Sequence, residues 1–258
     1  MSSSRLPGKV LLPLAGTPMI RHIYERATLC EHVDKVIIAT STEPSDDKLV
    51  SYCKANNLNY FRGDLENVLG RFLSIPDIKS YSYIVRITGD CPLIHPPFID
   101  KQISFLKKYD GDLIWSQTDS PVLQGQGVHS LRSLEFIKNN SNNSADNEHV
   151  GSPYISDNPE KFKIVEIKFT EDFLKYNFRL TVDEKKDYEL MSSIFNHFGS
   201  DTQIDLMKTL EWLTNNNEIS MINQSVSHTK TNIELINKRN NWNIVKKVGY
   251  EELETIII

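Results

Sequence analysis

The chain has 258 residues, a length that suits one α/β body with an excursion better than two full domains. Apolar residues make up 39% and charged ones 24%, as in a soluble globular protein that buries a sizeable core. A net charge of -5 excludes a nucleic-acid binder acting through bulk positive charge, and no apolar run reaches the roughly 18 residues of a membrane span.

No basic-then-apolar signal segment opens the chain. Three widely spaced cysteines (Cys30, Cys53, Cys91) without a CxxC pair indicate neither a zinc site nor a disulfide framework, and so a reduced, cytoplasmic compartment.

The first stretch, Met1 to Lys9, is polar and loop-like. Thr17-Pro18 reads as N-cap and first helical residue, with Ile20, Ile23, Ala27 and Cys30 at helical spacing behind it. Val36 to Thr40 is a short β-branched strand, followed by helical patterns over Ser45 to Asn56 and Leu65 to Ile75. Tyr83 to Thr88 is a second strand, Phe98 to Tyr109 a helix, and Leu113 to Trp115 a third strand. Asn139 to Asn147 reads as a polar loop. Ile164 to Phe169 and Phe178 to Val182 follow as strands, then Glu184 to Phe198 and Thr202 to Thr214 as helices. The last thirty residues carry no readable pattern, and no internal repeat is present. Strands and helices alternating in this way predict a mostly parallel sheet with helices on both faces.

Three segments combine charge with a loop or strand end. Ser2, Ser3 and Ser4 with Arg5, Gly8 and Lys9 offer hydroxyls, a glycine backbone and two cations four positions apart. A guanidinium that grips two oxygens beside an ammonium point charge suits a triphosphate. The loop is not a Walker motif, and the plain alternative is a polar chain end with incidental charge. Arg86-Ile87-Thr88-Gly89-Asp90-Cys91-Pro92 ends a strand in a carboxylate at the sheet rim, where Mg²⁺ is commonly held by one such group; the alternative is a Gly-Asp turn. Arg179 to Asp187 places Asp183 similarly, with Asp183 as N-cap and Asp187 as first-turn acid the bland reading. Phe61 to Phe72 sets Arg62 in a loop and Arg71 on a helix, arginines of the kind that grip a sugar-acid carboxylate or are simply solvated. Glu148-His149 lies in a predicted helix and carries a weaker signal.

Taken in order, S-S-S-R-L-P-G-K-V-L, I-I-A-T-S, F-R-G-D-L-E-N-V-L-G-R-F, V-R-I-T-G-D-C-P-L-I, E-H-V and R-L-T-V-D-E resemble the cytidylyltransferase family of spore-coat polysaccharide biosynthesis proteins, related to acylneuraminate and 3-deoxy-manno-octulosonate cytidylyltransferases. The match covers roughly residues 1 to 190. The resemblance implies a Rossmann-like nucleotide-diphospho-sugar transferase fold, usually a homodimer. It also implies that Arg5 and Lys9 bind triphosphate, that Asp90 binds Mg²⁺ and Asp183 is a second metal aspartate, and that Arg5, Lys9 and Asp90 are catalytic. Ser2, Ser3, Ser4, Gly8 and Arg86 then fall to the nucleotide, and Arg62, Arg71, Glu148 and His149 to the acceptor sugar. Residues 1–220 would form the nucleotidyltransferase domain, with 118–178 an acceptor and dimerisation excursion and 221–258 a C-terminal extension.

The family carries a central strand ahead of the first loop, ending in something like Ala-Arg-Met, and this sequence starts at that methionine. Such a loss leaves two neighbouring strands unpaired, at on the order of 1–3 kcal/mol for each unmet backbone group. The expectation is that Met1 is an internal methionine of a longer product, or that the chain is a decayed copy. Gly125 to Ser130 also departs from the acidic strand usual there.

The function expected is Mg²⁺-dependent transfer of CMP from CTP to a sugar acid for surface polysaccharide, releasing pyrophosphate, without nucleic acid or membrane insertion. Two alternatives stand beside it. One is a non-catalytic member acting as a binding or dimer partner. The other is a glycosyltransferase, for which Asp110-Gly111-Asp112 offers a D-x-D pattern ahead of a strand rather than after one.

Overall fold

The computed structural model describes residues 3, 5–116, 121–169, 171–199, 204–226 and 244–248. In chain order the elements are β1 (Pro13–Leu14), β2 (Thr17–Pro18), α1 (Met19–Ala27), β3 (Ile38–Ser41), α2 (Asp47–Ala55), β4 (Tyr60–Gly63), α3 (Val68–Leu73), β5 (Tyr83–Ile87), α4 (Pro96–Tyr109), β6 (Leu113–Ser116), β7 (Gln126–Ser130), α5 (Leu131–Asn140), α6 (Ser144–Glu148), α7 (Ser152–Asp157), β8 (Ile164–Ile167), α8 (Glu171–Leu174), α9 (Lys185–Phe198), α10 (Leu206–Asn215), α11 (Asn217–Ser220) and β9 (Ile244–Val248).

Five strands form one mixed sheet in the order β5-β7-β6-β8-β9. β7 runs antiparallel to both β5 and β6, while β6, β8 and β9 are mutually parallel neighbours. The expected α/β architecture is present, with one reversed strand inside the sheet. β9 comes from the unpatterned C-terminal region and pairs with β8.

Side-chain alternation sends Val85 and Val128 to one face, against Ile99, Ile103 and Leu106 of α4. Ile84, Leu113 and Ile164 point to the other, against Leu69 of α3 and Leu134 and Ile137 of α5. Each fully buried side chain among them, such as Ile99, Leu106, Leu134 or Ile164, stabilises the fold by about 1.5–3 kcal/mol. A third cluster, built on Leu190, Met191, Ile194 and Phe195 of α9 with Leu206, Leu210 and Leu213 of α10, packs beneath β1. Among the described residues no helix is long and apolar enough to cross a membrane.

Three expectations change. Thr17-Pro18 is not the helix start: it pairs antiparallel with Pro13-Leu14, and α1 begins at Met19 with Pro18 as its cap residue. Asn139 to Asn147 is not all loop, because Asn143 accepts a bond from Ala145 N (2.9 Å) and so caps α6. Phe178 to Val182 is no strand; Leu180 and Val182 bury against α9, and Val182 N donates to Asp90 O (2.8 Å). Burial, not ladder pairing, is what its apolar run signalled.

β3 and β4 pair in parallel with each other as a separate two-stranded sheet. Residues 36–41 around β3 and 80–85 around β5 line opposite sides of one cavity of about 540 Å³. Neither β3 nor β5 has a strand partner on that side among the described residues. Val10, Ile20 and Ile103 also line this space.

Candidate active site

The first loop folds onto the C-terminal end of β5. Gly8 adopts the left-handed region (φ 69°), which lets the chain turn into a short 3₁₀ segment, Lys9–Leu11. Leu6 N donates to Ser3 Oγ at 3.3 Å, holding the loop ahead of it. Val10 lies close over Gly89, where an added Cβ would come within 3.3 Å of Val10 Cγ1. This contact sets Lys9 above the end of the strand.

Lys9 Nζ then stands 3.0 Å from Asp90 Oδ2 and 3.0 Å from Asp183 Oδ1. Arg5 reaches Asp183 at 3.2 Å and Glu184 at 3.6 Å. The three sequence segments thus converge on one cluster. Lys9, Asp183 and Asp90 are 13%, 18% and 26% exposed, whereas Arg5 is 52% exposed at the rim. Burial acts to raise Asp90, but Lys9, Thr88 and the Cys91 thiol outweigh it and hold the carboxyl below its usual range.

Asp183 is fixed from behind by residues for which no site role was expected. Arg179 Nη2 donates to Asp183 Oδ2 at 2.6 Å and its Nε to Asp187 Oδ1 at 3.0 Å. Asp187, fully buried, also accepts from Asp183 N, Glu184 N and Asn223 Nδ2 at 2.9–3.0 Å. The helix cap is Glu184, with Asp187 completing a reciprocal capping box, so Asp183 is free of capping duty. The signal in the sequence was the spacing Glu184-x-x-Asp187 directly after Asp183.

Of the remaining expected residues, Arg62, Arg71, Glu148 and His149 do not join this cluster. Arg62 braces β4 to β3: it donates to Ser41 O (2.8 Å), Glu43 O (2.9 Å) and Asp47 (2.8 Å). Arg71 packs over Gly63 and donates to Asp64 O at 2.5 Å. Glu148 and His149 are exposed where α6 ends. Ser2 and Ser4 lie outside the described residues. Arg86 extends from β5 beside Gly127 of β7. Cys91 is no nucleophile, since burial and then Asp90 push its thiol up.

Asp110-Gly111-Asp112 is structural. Asp112 accepts from Ser130 Oγ (2.7 Å), Arg132 Nε (2.6 Å) and Lys163 N (2.9 Å), while Asp110 pairs with Arg132 and Lys163. It precedes β6, which runs parallel to β5, so it sits at the sheet edge opposite Asp90.

Among the described residues no three His, Cys, Asp or Glu side chains converge as a metal cage. Two carboxylates do converge, with the Lys9 ammonium standing where a cation would be shared. That set fits Mg²⁺, which keeps several waters and takes further oxygens from a phosphate substrate.

A sequence profile of the family described as cytidylyltransferase matches residues 1–247. The spore coat polysaccharide biosynthesis protein SpsF of Bacillus subtilis is 28% identical over 84% of this chain and 91% of its own. An 8-amino-3,8-dideoxy-manno-octulosonate cytidylyltransferase of Shewanella frigidimarina is 26% identical over 55% of this chain and 58% of its own. The structure of a cytidylyltransferase from Leptospira borgpetersenii superposes with a TM-score of 0.78 at 27% identity, covering 88% of this chain and 95% of that one.

Proposed function

The chain belongs to the cytidylyltransferase family, and from that premise we propose that it transfers CMP from CTP to a sugar acid, with Mg²⁺, in the making of a surface polysaccharide. The observation that carries this reading is the bridge of Lys9 between Asp90 and Asp183, with Arg5 beside it, at the end of β5.

In the reaction a sugar hydroxyl attacks the α-phosphorus, the new P–O bond forms, and the bond to the bridging oxygen of pyrophosphate breaks. The hydroxyl loses its proton as it attacks. The chain's contribution is positioning and charge neutralisation. Lys9 and Arg5 exchange their carboxylate partners for phosphate oxygens and neutralise the departing pyrophosphate. The Gly8 turn aims Lys9, and the buried Arg179–Asp187 pair keeps Asp183 facing the same point. Asp90 and Asp183 would hold Mg²⁺, which when bound polarises the phosphoryl oxygens.

The curated relatives support the sugar-acid acceptor and the polysaccharide role through their own names. The homodimer and the cytoplasmic location belong to the same reading, and sedimentation of the purified chain tests the first. Asp90→Asn tests the site. It should lower pyrophosphate release from CTP at least about 100-fold without recovery at saturating Mg²⁺, as expected for loss of a charged group acting on the transferring phosphoryl. Full activity at high Mg²⁺ would remove Asp90 from the metal site. Because Asp110 and Asp112 are consumed in ion pairs, no observation favours the glycosyltransferase alternative.

A further inference from the structure

Among the described residues, Arg86 stands out as the arginine with no hydrogen-bond or ion-pair partner. Every other described arginine is engaged by carboxylates or carbonyls: Arg26 by Ile94 O and Ile204 O, Arg62 by Asp47, Arg71 by Asp64 O, Arg132 by Asp112, Arg179 by Asp187, and the two nearer the N-terminus by Asp183 and Glu25. Arg86 is half-buried, yet its guanidinium makes no hydrogen bond or ion pair to a described residue.

A half-buried guanidinium that no carboxylate or carbonyl engages can take an anion from outside the chain without breaking an internal bond. Its surroundings indicate which. The residue directly across the ladder is Gly127, which offers no side chain; a Cβ there would meet only His129 Nε2, at 3.7 Å. His129, next on that face, has an Nδ1 with no partner; burial and then Arg86 lower its pKa to about 4, so at neutral pH it brings no competing positive charge. Arg86 lies on β5, four residues before Asp90, on the strand whose end carries the Lys9–Asp90–Asp183 cluster.

We propose that Arg86 is the anchor for the acceptor's carboxylate, gripping it over Gly127 so that the attacking hydroxyl is presented beside Asp90. This rests on the sugar-acid reading above and assigns Arg86 to the acceptor instead of the nucleotide. In a 2-ulosonic acid the anomeric hydroxyl and the carboxylate share one carbon, so holding the carboxylate in a bidentate fork fixes the nucleophile one bond away. An acidic side chain at position 127 would occupy the same fork, so Gly127 and the free guanidinium are two halves of one feature.

The test compares 3-deoxy-manno-octulosonate and N-acetylneuraminate with their carboxamides as acceptors, in wild type, Arg86→Gln and Arg86→Lys. CTP binding is measured separately by calorimetry. In wild type the acid should be preferred over the amide. In Arg86→Gln the KM for the acid should rise roughly 10- to 100-fold, the loss of a charge-assisted fork, and the preference for acid over amide should vanish. The CTP Kd should stay within about threefold, with Arg86→Lys intermediate. The melting temperature of Arg86→Gln should not fall, because the charge removed has no partner in the free protein; a marked fall would itself contradict the proposal.

A weakening of CTP binding by more than about tenfold, with the acid–amide preference kept, would give Arg86 to the nucleotide and overturn the proposal. Wild-type turnover with the amides equal to that with the acids would overturn it while leaving cytidylyl transfer intact. Absence of turnover with either acid in wild type would overturn the sugar-acid reading itself, and the carboxylate anchor with it.

Discussion

Asp187 shows how far a single buried side chain governs the site without belonging to it. It accepts bonds from Arg179, Asn223 and two backbone N–H groups, and it has no exposed surface. Asp187→Ala would leave the Arg179 guanidinium buried with half its partners, a loss of about 3–5 kcal/mol readable as a lower urea midpoint. The pH dependence follows in sign. Burial works to raise the Asp187 carboxyl, but the bonds from Asn223, Arg179 and the backbone hold it below the ordinary range, and Asp90 is lowered as well. The folded state therefore binds fewer protons than the unfolded chain. This stabilisation is present above the unfolded carboxylate value near ~3.9 and is lost as pH falls through the folded values. Asp187→Asn should flatten the fall of melting temperature between about pH 4 and 2; an unchanged slope would remove Asp187 from the account. Gly125 makes a second residue-scale prediction. Its φ is +73°, and a Cβ there would lie 2.3 Å from Cys91 Sγ and Thr88 Oγ1. Gly125→Ala should cost at least about 2 kcal/mol by denaturant unfolding, since backbone strain and overlap with the buried Cys91 add. A cost below about 0.5 kcal/mol would contradict that packing.

At the scale of elements, the strands and helices with clear periodicity were legible and the connections were not. Tyr83 to Thr88 and Leu113 to Trp115 read as strands because β-branched and aromatic residues cluster there, and both appear within a residue or two of expectation. The reversal of β7 left no mark in composition, because direction is set by which connection the chain takes across the sheet, and local pattern does not record that. Phe178 to Val182 carried the apolar signature of a strand while obeying burial alone. The space between β3 and β5 belongs to this scale as well. β3 and β5 face one cavity and have no strand partner there among the described residues, so an added strand would gain ladder bonds on both edges. A version of the protein extended at its N-terminus by about six β-branched residues should melt several degrees higher, at roughly 2–4 °C per kcal/mol for a chain of this size. No gain in melting temperature would mean that these edges do not take a strand.

For the molecule as a whole, the cluster of Arg5, Lys9, Asp90 and Asp183 was readable from three motifs separated by up to 174 residues, the span between Lys9 and Asp183. What brings them together is a fold that returns the segment after α8 to the end of β5, through Val182 N and Asp90 O. Of the buried support behind Asp183, only the Glu184-x-x-Asp187 spacing left a mark in the sequence; Arg179 and Asn223 join Asp187 only in three dimensions. The sparse acidity of the chain, net -5, is compatible with an anionic nucleotide because the cations near the site are few and placed. The measurement that tests the central claim most directly is pyrophosphate release from CTP and Mg²⁺ by the chain as it stands, with 3-deoxy-manno-octulosonate, N-acetylneuraminate and no acceptor run side by side. The account predicts release that requires one of the sugar acids and yields the CMP-sugar in equal amount. Release independent of acceptor, or none with either acid while CTP still binds, would contradict it.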